Sequence, residues 1–214
     1  MFAFASCDSE KKELFAARDR FGVKPFFYSL HNGSLYFSSE IKALQHLPGS
    51  REPNEKVWAN YFSYGSYGMP EETFFKEINQ LPGGHWLSSS KGNLNIQKWY
   101  DFAAEVKKVP TNYTFEQAKD IYLNLLKESV ALRFRADVPV GFNISCGVDS
   151  SLLLALVNLN EDRQNINAYT FYTGDERYDE HPWVEQMIST TNNPLKKIKF
   201  SASEVSEKAL GLSK

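Results

Sequence analysis

A short run of small and polar residues, from Ser145 to Ser151, carries the side chains best suited to holding a phosphate group. Apolar segments lie on both sides of it, so a strand is expected to turn into a helix here. The first backbone N–H groups of such a helix have no intrahelical partner and attract anions. Gly147 would let the backbone approach a ligand closely, and Asp149 suits a Mg²⁺ ion carried by a pyrophosphate. The run therefore predicts a phosphate-binding loop.

Simpler interpretations of the same run stay open. Ser145 and Asp149 are ordinary helix-capping residue types. Cys146, at the start of a helix, is placed to be a reactive thiol with a lowered pKa. The run lacks the Gly-Lys-Ser/Thr ending of the Walker A loop, and it is not a dinucleotide-binding fingerprint. Local chemistry alone leaves capping and phosphate binding as equal alternatives.

The elements that must position this loop alternate between strand and helix. Thr114 and Gln117 fit a capping box, and the apolar spacing that follows predicts a helix to about Phe134. The patterns also predict strands at Asp137–Ile144, Ala168–Tyr172 and Leu195–Phe200, helices at Leu152–Leu159 and Trp183–Thr190, and a helix start at Ser203–Leu210. This alternation implies right-handed crossovers and a parallel sheet, which binds ligands at the carboxyl ends of its strands.

The first half of the chain has the alternation and turn residues of antiparallel strands. Strands are predicted at Phe2–Ser6, Glu13–Arg18, Pro25–Leu30, Ser34–Ser39, Glu77–Leu81, His85–Ser89 and Leu94–Tyr100. Asn32 and Gly33 supply the two positive-φ positions of a type I′ hairpin turn. Short helices are predicted at Glu40–Gln45 and, capped by Asn54, at Glu55–Ser63.

A change of pattern separates the two halves. Ala103–Asn112 has little periodicity and predicts a linker, which divides the chain into domains at 1–105 and 106–214. The first predicted strand stands directly against Met1, and three parallel strands would make a small sheet. We therefore expect the chain to be incomplete at both ends.

Composition excludes several classes of protein. The 214 residues are 42% hydrophobic and 23% charged, so a packed core is expected. The formal net charge of −2 gives no electrostatic reason to expect a nucleic acid or an anionic membrane as partner. No apolar run approaches the roughly 20 residues of a membrane span. Two cysteines cannot build a disulfide framework, so a reducing cytoplasm is the expected location.

The loop and the segment before it resemble a known family motif. Residues 137–151 read Asp-Val-Pro-Val-Gly-Phe-Asn-Ile-Ser-Cys-Gly-Val-Asp-Ser-Ser, and asparagine synthases carry a pyrophosphatase loop usually written D-V-P-V-G-x-x-L-S-G-G-L-D-S-S. In the first half, residues 17–25 resemble the family's R-D-x-x-G-x-K/R-P-L-Y segment, residues 38–44 resemble its next segment, and residues 81–85 resemble its L-P-P-G-H turn. The chain thus resembles glutamine-hydrolysing asparagine synthases over almost its whole length.

This resemblance implies an α/β chain with two partial domains. The first would be part of an amino-terminal nucleophile glutaminase domain (glutamine amidotransferase type 2), an α+β sandwich. The second would begin a parallel-sheet, ATP pyrophosphatase-type synthetase domain. In the family, ATP activates the aspartate side chain as an acyl-adenylate, and ammonia from glutamine displaces AMP. The implied cofactors are ATP and Mg²⁺, and the implied substrates are aspartate and glutamine. The resemblance is also compatible with a homodimer, because family members are often dimers.

The resemblance also assigns roles to particular residues. Asp19 matches the aspartate that holds the α-amino group of glutamine, although a turn residue beside Arg18 is the plain alternative. The residues that match ATP-binding positions are Asn143, Ser145, Gly147, Val148, Asp149, Ser150 and Thr173. Asp149 is in addition the expected Mg²⁺ ligand. Asn143 and Thr173 are polar where the family usually has apolar residues. Tyr178–His181 contains metal-binding residue types, but the family resemblance places Asp179 and Glu180 just before a helix, which favours a solvated helix start.

Departures from the family pattern qualify the expected activity. Cys146 replaces the first glycine of the loop, and Phe2 follows Met1 where a glutaminase exposes its nucleophilic cysteine. Cys7 lies inside the chain, so no catalytic residue is assigned and the chain is expected to be an inactive or incomplete piece. The alternatives are another ATP-dependent amidotransferase relative, of β-lactam synthetase or peptide-cyclase type, and a non-catalytic nucleotide-binding module.

Overall fold

The computed structural model describes residues 1–159, 166–201, 203, 204, 208 and 211. The chain separates into two compact units, Met1–Thr111 and Asn112–Lys214, and each is described by itself. The helix start expected at Ser203–Leu210 lies largely outside the described residues.

A four-stranded antiparallel sheet forms one layer of the first unit, in the order β1-β2-β6-β7. Its strands are β1 (Ala3–Asp8), β2 (Glu13–Arg18), β6 (His85–Ser90) and β7 (Asn93–Lys98). The bounds of β2 are those predicted from its sequence, and the other three differ from prediction by one or two residues at their ends.

A second antiparallel sheet, in the order β4-β3-β5, faces the first. It contains β3 (Phe27–His31), β4 (Ser34–Ser38) and the two-residue β5 (Asn79–Gln80). Asn32 and Gly33 join β3 to β4 with φ values of 50° and 75°, as the predicted hairpin turn requires. Ala16, Tyr28 and Leu87 pack in the shared core, which makes this unit a sandwich with a dry interior.

Three helices complete the first unit: α1 (Ile41–Leu44), α2 (Glu55–Tyr64) and α3 (Phe102–Val106). The side chain of Asn54 accepts from Val57 N and caps α2, as predicted. Helix α3 occupies the start of the segment expected to be a linker, because Asp101 accepts from Ala104 N and caps a helix there. The boundary expected after residue 105 therefore falls inside a helix.

The second unit is a three-stranded parallel sheet with helices, as the alternating pattern predicts. The elements run α4 (Phe115–Arg133), β8 (Phe142–Asn143), α5 (Val148–Asn158), β9 (Ala168–Tyr172), α6 (His181–Thr191) and β10 (Leu195–Lys199), and the sheet order is β10-β9-β8. Thr114 and Gln117 form the predicted capping box. Ile144, Leu154 and Val184 pack together with β9, which anchors α5 and α6 to the sheet.

Two predictions for this unit have the wrong bounds. The strand expected at Asp137–Ile144 is only Phe142–Asn143, because β9 begins at Ala168, directly opposite Phe142. Helix α5 begins at Val148, four residues earlier than expected, because the extended Gly147 serves as its N-cap. This early start places the predicted phosphate loop at the first turn of the helix. None of the described helices is long and apolar enough to cross a bilayer.

Candidate functional site

The predicted phosphate loop lies between β8 and α5, at the carboxyl end of a parallel strand. Gly147 has φ −66° and ψ 146°, and Val148, Asp149 and Ser150 are the first three helical residues. Backbone N–H groups at these positions lack intrahelical acceptors, and the helix dipole places partial positive charge there. Helix α5 is 11 residues long, and the loop is exposed. The backbone arrangement is that of an anion-binding helix start.

Two serine hydroxyls stabilise the loop from inside. Ser150 Oγ donates toward two carbonyl oxygens, Ser145 O at 2.9 Å and Gly147 O at 3.0 Å. It also accepts a hydrogen bond from Ser145 N at 3.3 Å. Ser145 Oγ accepts from Gly147 N at 3.3 Å and lies 3.1 Å from Ser150 Oγ. Both serines therefore support the loop in this conformation. To contact an anion directly, either hydroxyl would have to exchange one of these bonds.

Asp149 is exposed in the first turn of α5. Across the described part of the chain, no group of three or more His, Cys, Asp or Glu side chains is arranged to hold a metal ion. Mg²⁺ often binds one or two carboxylates and completes its shell with water and phosphate oxygens. A single accessible carboxylate beside an anion-binding helix start fits that kind of Mg²⁺, which arrives with its phosphate.

Cys146 does not have the environment of an activated thiol. Its backbone N–H donates to Glu180 Oε2 at 3.3 Å, and its side chain also hydrogen-bonds the Glu180 carboxylate. The side-chain hydrogen bond to Glu180 raises the pKa of the Cys146 thiol, because it stabilises the protonated form, and desolvation and the negative charge of Glu180 act in the same direction. The alternative interpretation of Cys146 as a thiol of lowered pKa is therefore wrong. Cys7 is a second exposed free cysteine, on β1.

An open cavity of about 300 Å³ borders the loop on the second unit. Its lining residues are Asn143, Ile144, Ser145, Tyr169, Thr170, Phe171 and Ile198. Two of the predicted ATP-binding positions, Asn143 and Ser145, thus share one cavity. The mixture of aromatic, aliphatic and polar side chains is typical of a pocket for a small ligand.

Thr173 lies outside that lining set, in the turn that follows β9. Its N–H and its hydroxyl both donate to Asp179 Oδ1, at 2.6 and 2.8 Å, and Gly174 N donates to Asp179 Oδ2 at 2.7 Å. The pKa of Asp179 is lowered by these bonds, chiefly by the one from Thr173 N. Thr173 is therefore held at the end of the strand next to β8, and the structure brings the two loops to one edge of the sheet.

Asp19 occupies a buried corner of the first unit and is 5% exposed. Its Oδ1 accepts from Phe21 N at 3.2 Å and Val23 N at 3.0 Å, while its Oδ2 accepts from Phe2 N at 3.1 Å and Lys24 N at 3.0 Å. Burial raises the pKa, but the four backbone bonds outweigh it and lower the pKa of Asp19 to about 2. The structure therefore shows Asp19 as a turn residue. The α-amino group of glutamine would have to share the same carboxylate oxygens with these backbone donors.

Arg18 is a second organiser of this corner. The guanidinium donates to Lys24 O at 2.7 Å, Gly22 O at 2.7 Å and Leu81 O at 2.5 Å, and only 7% of the residue is exposed. It links the turn after β2 to the segment before β6. An arginine that satisfies three carbonyl oxygens in this way has a structural role.

Glycines make the same corner possible. A Cβ on Gly83 would lie 2.6 Å from Gly22 N, and Gly84 has φ +68° with its own Cβ position 2.8 Å from Tyr100 O. Gly84 N also donates to Asp19 O at 2.8 Å. The motifs at residues 17–25 and 81–85, which are separate in sequence, therefore pack closely against each other.

Sequence reasoning missed the roles of Arg18, Asp179 and Glu180. Asp179 and Glu180 were interpreted as a solvated helix start, yet each accepts a hydrogen bond from a predicted nucleotide-binding loop. The available signal was their position, since residues at the start of the helix after β9 lie at the same sheet edge as the loop after β8.

Comparison with protein families divides the chain as its patterns do. Residues 1–100 match the glutamine amidotransferase domain family. Residues 122–210 match the asparagine synthase family.

Curated relatives cover both parts together. The chain is 30% identical over 201 residues to asparagine synthetase (glutamine-hydrolyzing) 3 of Bacillus subtilis, which covers 87% of the chain and 32% of the relative. It is 30% identical over 192 residues to a putative asparagine synthetase (glutamine-hydrolyzing) 2 of Methanocaldococcus jannaschii, covering 88% of the chain and 36% of that relative. Amidase chyE of Penicillium rubens is 32% identical over 157 residues, which are 73% of the chain and 23% of the amidase. The chain spans about a third of the length of the two synthetases.

Proposed function

Because the chain belongs to the glutamine-hydrolysing asparagine synthetase family, we propose that its second unit binds ATP for the amidation of aspartate. In this reaction an aspartate side-chain oxygen attacks the α-phosphorus of ATP, and pyrophosphate leaves. Ammonia then attacks the acyl carbon, and AMP leaves with the former carboxylate oxygen. The task of the loop is to bind the charge of the leaving pyrophosphate.

One observation carries the proposal: the turn from Ser145 to Ser150 ends in the first turn of α5, at the carboxyl end of β8. This is the place where open α/β sheets bind ligands and where a helix start binds anions. Gly147 and Val148 would present backbone N–H groups to the phosphates, and Asn143 would lie in the adjoining cavity. Ser145, Ser150 and Thr173 would complete the ATP contacts.

Asp149 would hold Mg²⁺ together with phosphate oxygens. The bound ion would neutralise phosphate charge and stabilise the departing pyrophosphate. Asp149 is accessible for this role, because it already faces solvent at the helix start.

In the first unit we assign glutamine binding to Asp19 and no catalytic residue. An ionised carboxylate suits the α-amino group of glutamine, and the low pKa keeps Asp19 ionised at neutral pH. Cys7 lies within β1, which pairs with β2, so it is not a nucleophile at the amino terminus. We therefore expect no robust glutamine hydrolysis by this polypeptide, and a robust rate would contradict the assignment.

Calorimetric titration with ATP–Mg²⁺ tests the ATP site. Asp149→Ala is expected to weaken binding by roughly tenfold, because one charge-assisted contact is worth about 1.5 kcal/mol or more. Asp120→Ala, an exposed carboxylate on α4, is the matched control and should leave affinity unchanged. Equal affinity of the Asp149 variant and the unaltered chain would refute the metal assignment.

A second candidate function is suggested by the similarity to an amidase. An amidotransferase relative of β-lactam synthetase or peptide-cyclase type would form AMP with an acid other than aspartate. A non-catalytic module would bind ATP–Mg²⁺ without forming AMP with any acid. AMP release measured against a panel of carboxylic acids separates the three outcomes.

Cytoplasmic location and a homodimer belong to the same proposal, as does the absence of a nucleic-acid or membrane partner. Light scattering on the purified chain tests the homodimer directly. A monomer at micromolar concentration would contradict it.

A further inference from the structure

A polar cluster in the described part of the second unit is centred on Asp179, which the predicted ATP contacts do not include. Three donors from the turn after β9 converge on its carboxylate: Thr173 N, Thr173 Oγ1 and Gly174 N, at 2.6, 2.8 and 2.7 Å. An ionised carboxylate is an acceptor only, so all three bonds run toward Asp179. Gly174 has φ +90°, a conformation that glycine adopts without steric strain.

The base of this cluster is rigid. Asp179 immediately precedes the N-cap of α6, and Val184 in the first turns of that helix is fully buried against the sheet. Asp179 N also donates to Asp175 O at 3.0 Å, which closes the turn on itself. The carboxylate therefore belongs to a hydrogen-bonded turn directly before α6, a helix that packs against the sheet.

The adjacent residue reaches the other loop. Glu180 Oε2 accepts from Cys146 N at 3.3 Å. Two consecutive residues at the start of α6 thus contact the turns after both β8 and β9. Neighbouring strands lie about 4.8 Å apart, so a ligand longer than pyrophosphate, seated at the first turn, extends over the second.

We propose that Asp179 is a positioning residue that holds the Thr173–Gly174 turn in the conformation that receives the nucleoside side of ATP. This role rests on the proposed function and deepens it. Asp179 itself does not touch the nucleotide; it acts through Thr173. The pyrophosphate side of the ligand is left to the Ser145–Ser150 loop.

The test compares two ligands that share only the phosphate part. Titrations with ATP–Mg²⁺ and with inorganic pyrophosphate–Mg²⁺ are made on the unaltered chain and on Asp179→Asn. In the variant, affinity for ATP should fall about tenfold, since an amide cannot accept all three bonds. Affinity for pyrophosphate should stay within about twofold, because the first loop keeps its own support.

The matched control is Asp175→Asn in the same turn, whose side chain bonds Arg177 and not Thr173. It should leave both affinities unchanged. Thr173→Val removes the hydroxyl donor, and combined with Asp179→Asn it should add little further loss of ATP affinity. Amide hydrogen exchange at Thr173 and Gly174, measured without ligand, should accelerate in Asp179→Asn.

Each other outcome has a definite meaning. If Asp179→Asn lowered the affinity for both ligands equally, Asp179 would have a general folding role. This result would overturn the positioning proposal but not the proposed function. Unchanged ATP affinity, with or without faster exchange, would place this turn outside the site and overturn it as well. If the unaltered chain bound neither ligand, the proposed function itself would fail, and the positioning role would fall with it.

Discussion

Asp19 shows how one side chain can fix the turn that follows it and at the same time bind the start of the chain. Its four backbone donors come from residues up to 17 positions away, and they lower its pKa from an ordinary 3.8 to about 2. A lowered folded-state pKa contributes stability that is present above the unfolded pKa. That contribution is lost as the pH falls through the folded pKa.

We expect Asp19→Asn to lower the free energy of unfolding at pH 7 by about 2 kcal/mol, the equivalent of this pKa shift. The difference between the variant and the unaltered chain should shrink as the pH falls from 4 toward 2. Urea unfolding at a series of pH values measures it. Glu10→Gln, an exposed carboxylate in the β1–β2 turn, is the control. A difference that did not change with pH would contradict the ionised-carboxylate account.

The thiol of Cys146 gives a second test of local electrostatics. Its pKa is raised by the Glu180 carboxylate, so removing that charge should increase the thiolate fraction. In a Cys7→Ser background, which leaves one thiol, Glu180→Gln should speed alkylation by iodoacetamide a few-fold at neutral pH. Glu185→Gln on the same helix is the control, because its carboxylate pairs with Lys197. A slower reaction in Glu180→Gln would show that Glu180 activates the thiol.

The site residues were only partly predictable. Ser145 and Asp149 stand out because serine and aspartate between an apolar strand and an apolar helix are recognisable from local pattern. The contact of Glu180 with Cys146 was not, because these residues lie 34 positions apart and meet only when the parallel sheet forms. The contact of Asp179 with Thr173 spans six positions but follows no helix or strand period. Long-range pairing of this kind leaves no periodic signal.

Among the helices and strands, prediction succeeded where the signal is local. The capping box of Thr114 and the turn at Asn32 are set by a few neighbouring residues, and both are present. Prediction failed at 137–141. Val138 and Val140 alternate like strand residues, but they lie before Phe142, the first residue that pairs with β9. A strand pattern without a partner strand does not become a strand, and the partner's start cannot be seen from the segment itself.

Helix α4 offers a direct measure of one such local signal. Thr114 Oγ1 accepts from Gln117 N, and the Gln117 side chain accepts from Thr114 N at 2.9 Å. Thr114→Ala should destabilise the second unit by about 1 kcal/mol, because it leaves helix-start donors without a protein acceptor. Thr111→Ala, outside the helix, is the control, and chemical denaturation followed by circular dichroism is the measurement. Equal stability of the two variants would mean that the box contributes nothing.

The chain divides into two units, Met1–Thr111 and Asn112–Lys214, and each contains one of the two proposed ligand sites. Asp19 lies in the first unit and the Ser145–Ser150 loop in the second, and each is supported by contacts within its own unit. Binding stabilises the part of a protein that contacts the ligand, through mass action. Ligand-induced protection should therefore be confined to one unit at a time.

Hydrogen exchange followed by mass spectrometry tests this separation. Saturating pyrophosphate–Mg²⁺ should slow exchange in peptides that cover the Ser145–Ser150 loop and the start of α5, and should leave both the turn after β9 and residues 1–111 unchanged. Asp149→Ala should shift this protection to a roughly tenfold higher pyrophosphate concentration, because a contact between the carboxylate and the ion would be lost. Protection that spread into the first unit would contradict independent sites and would show that anion binding couples the two halves of the chain.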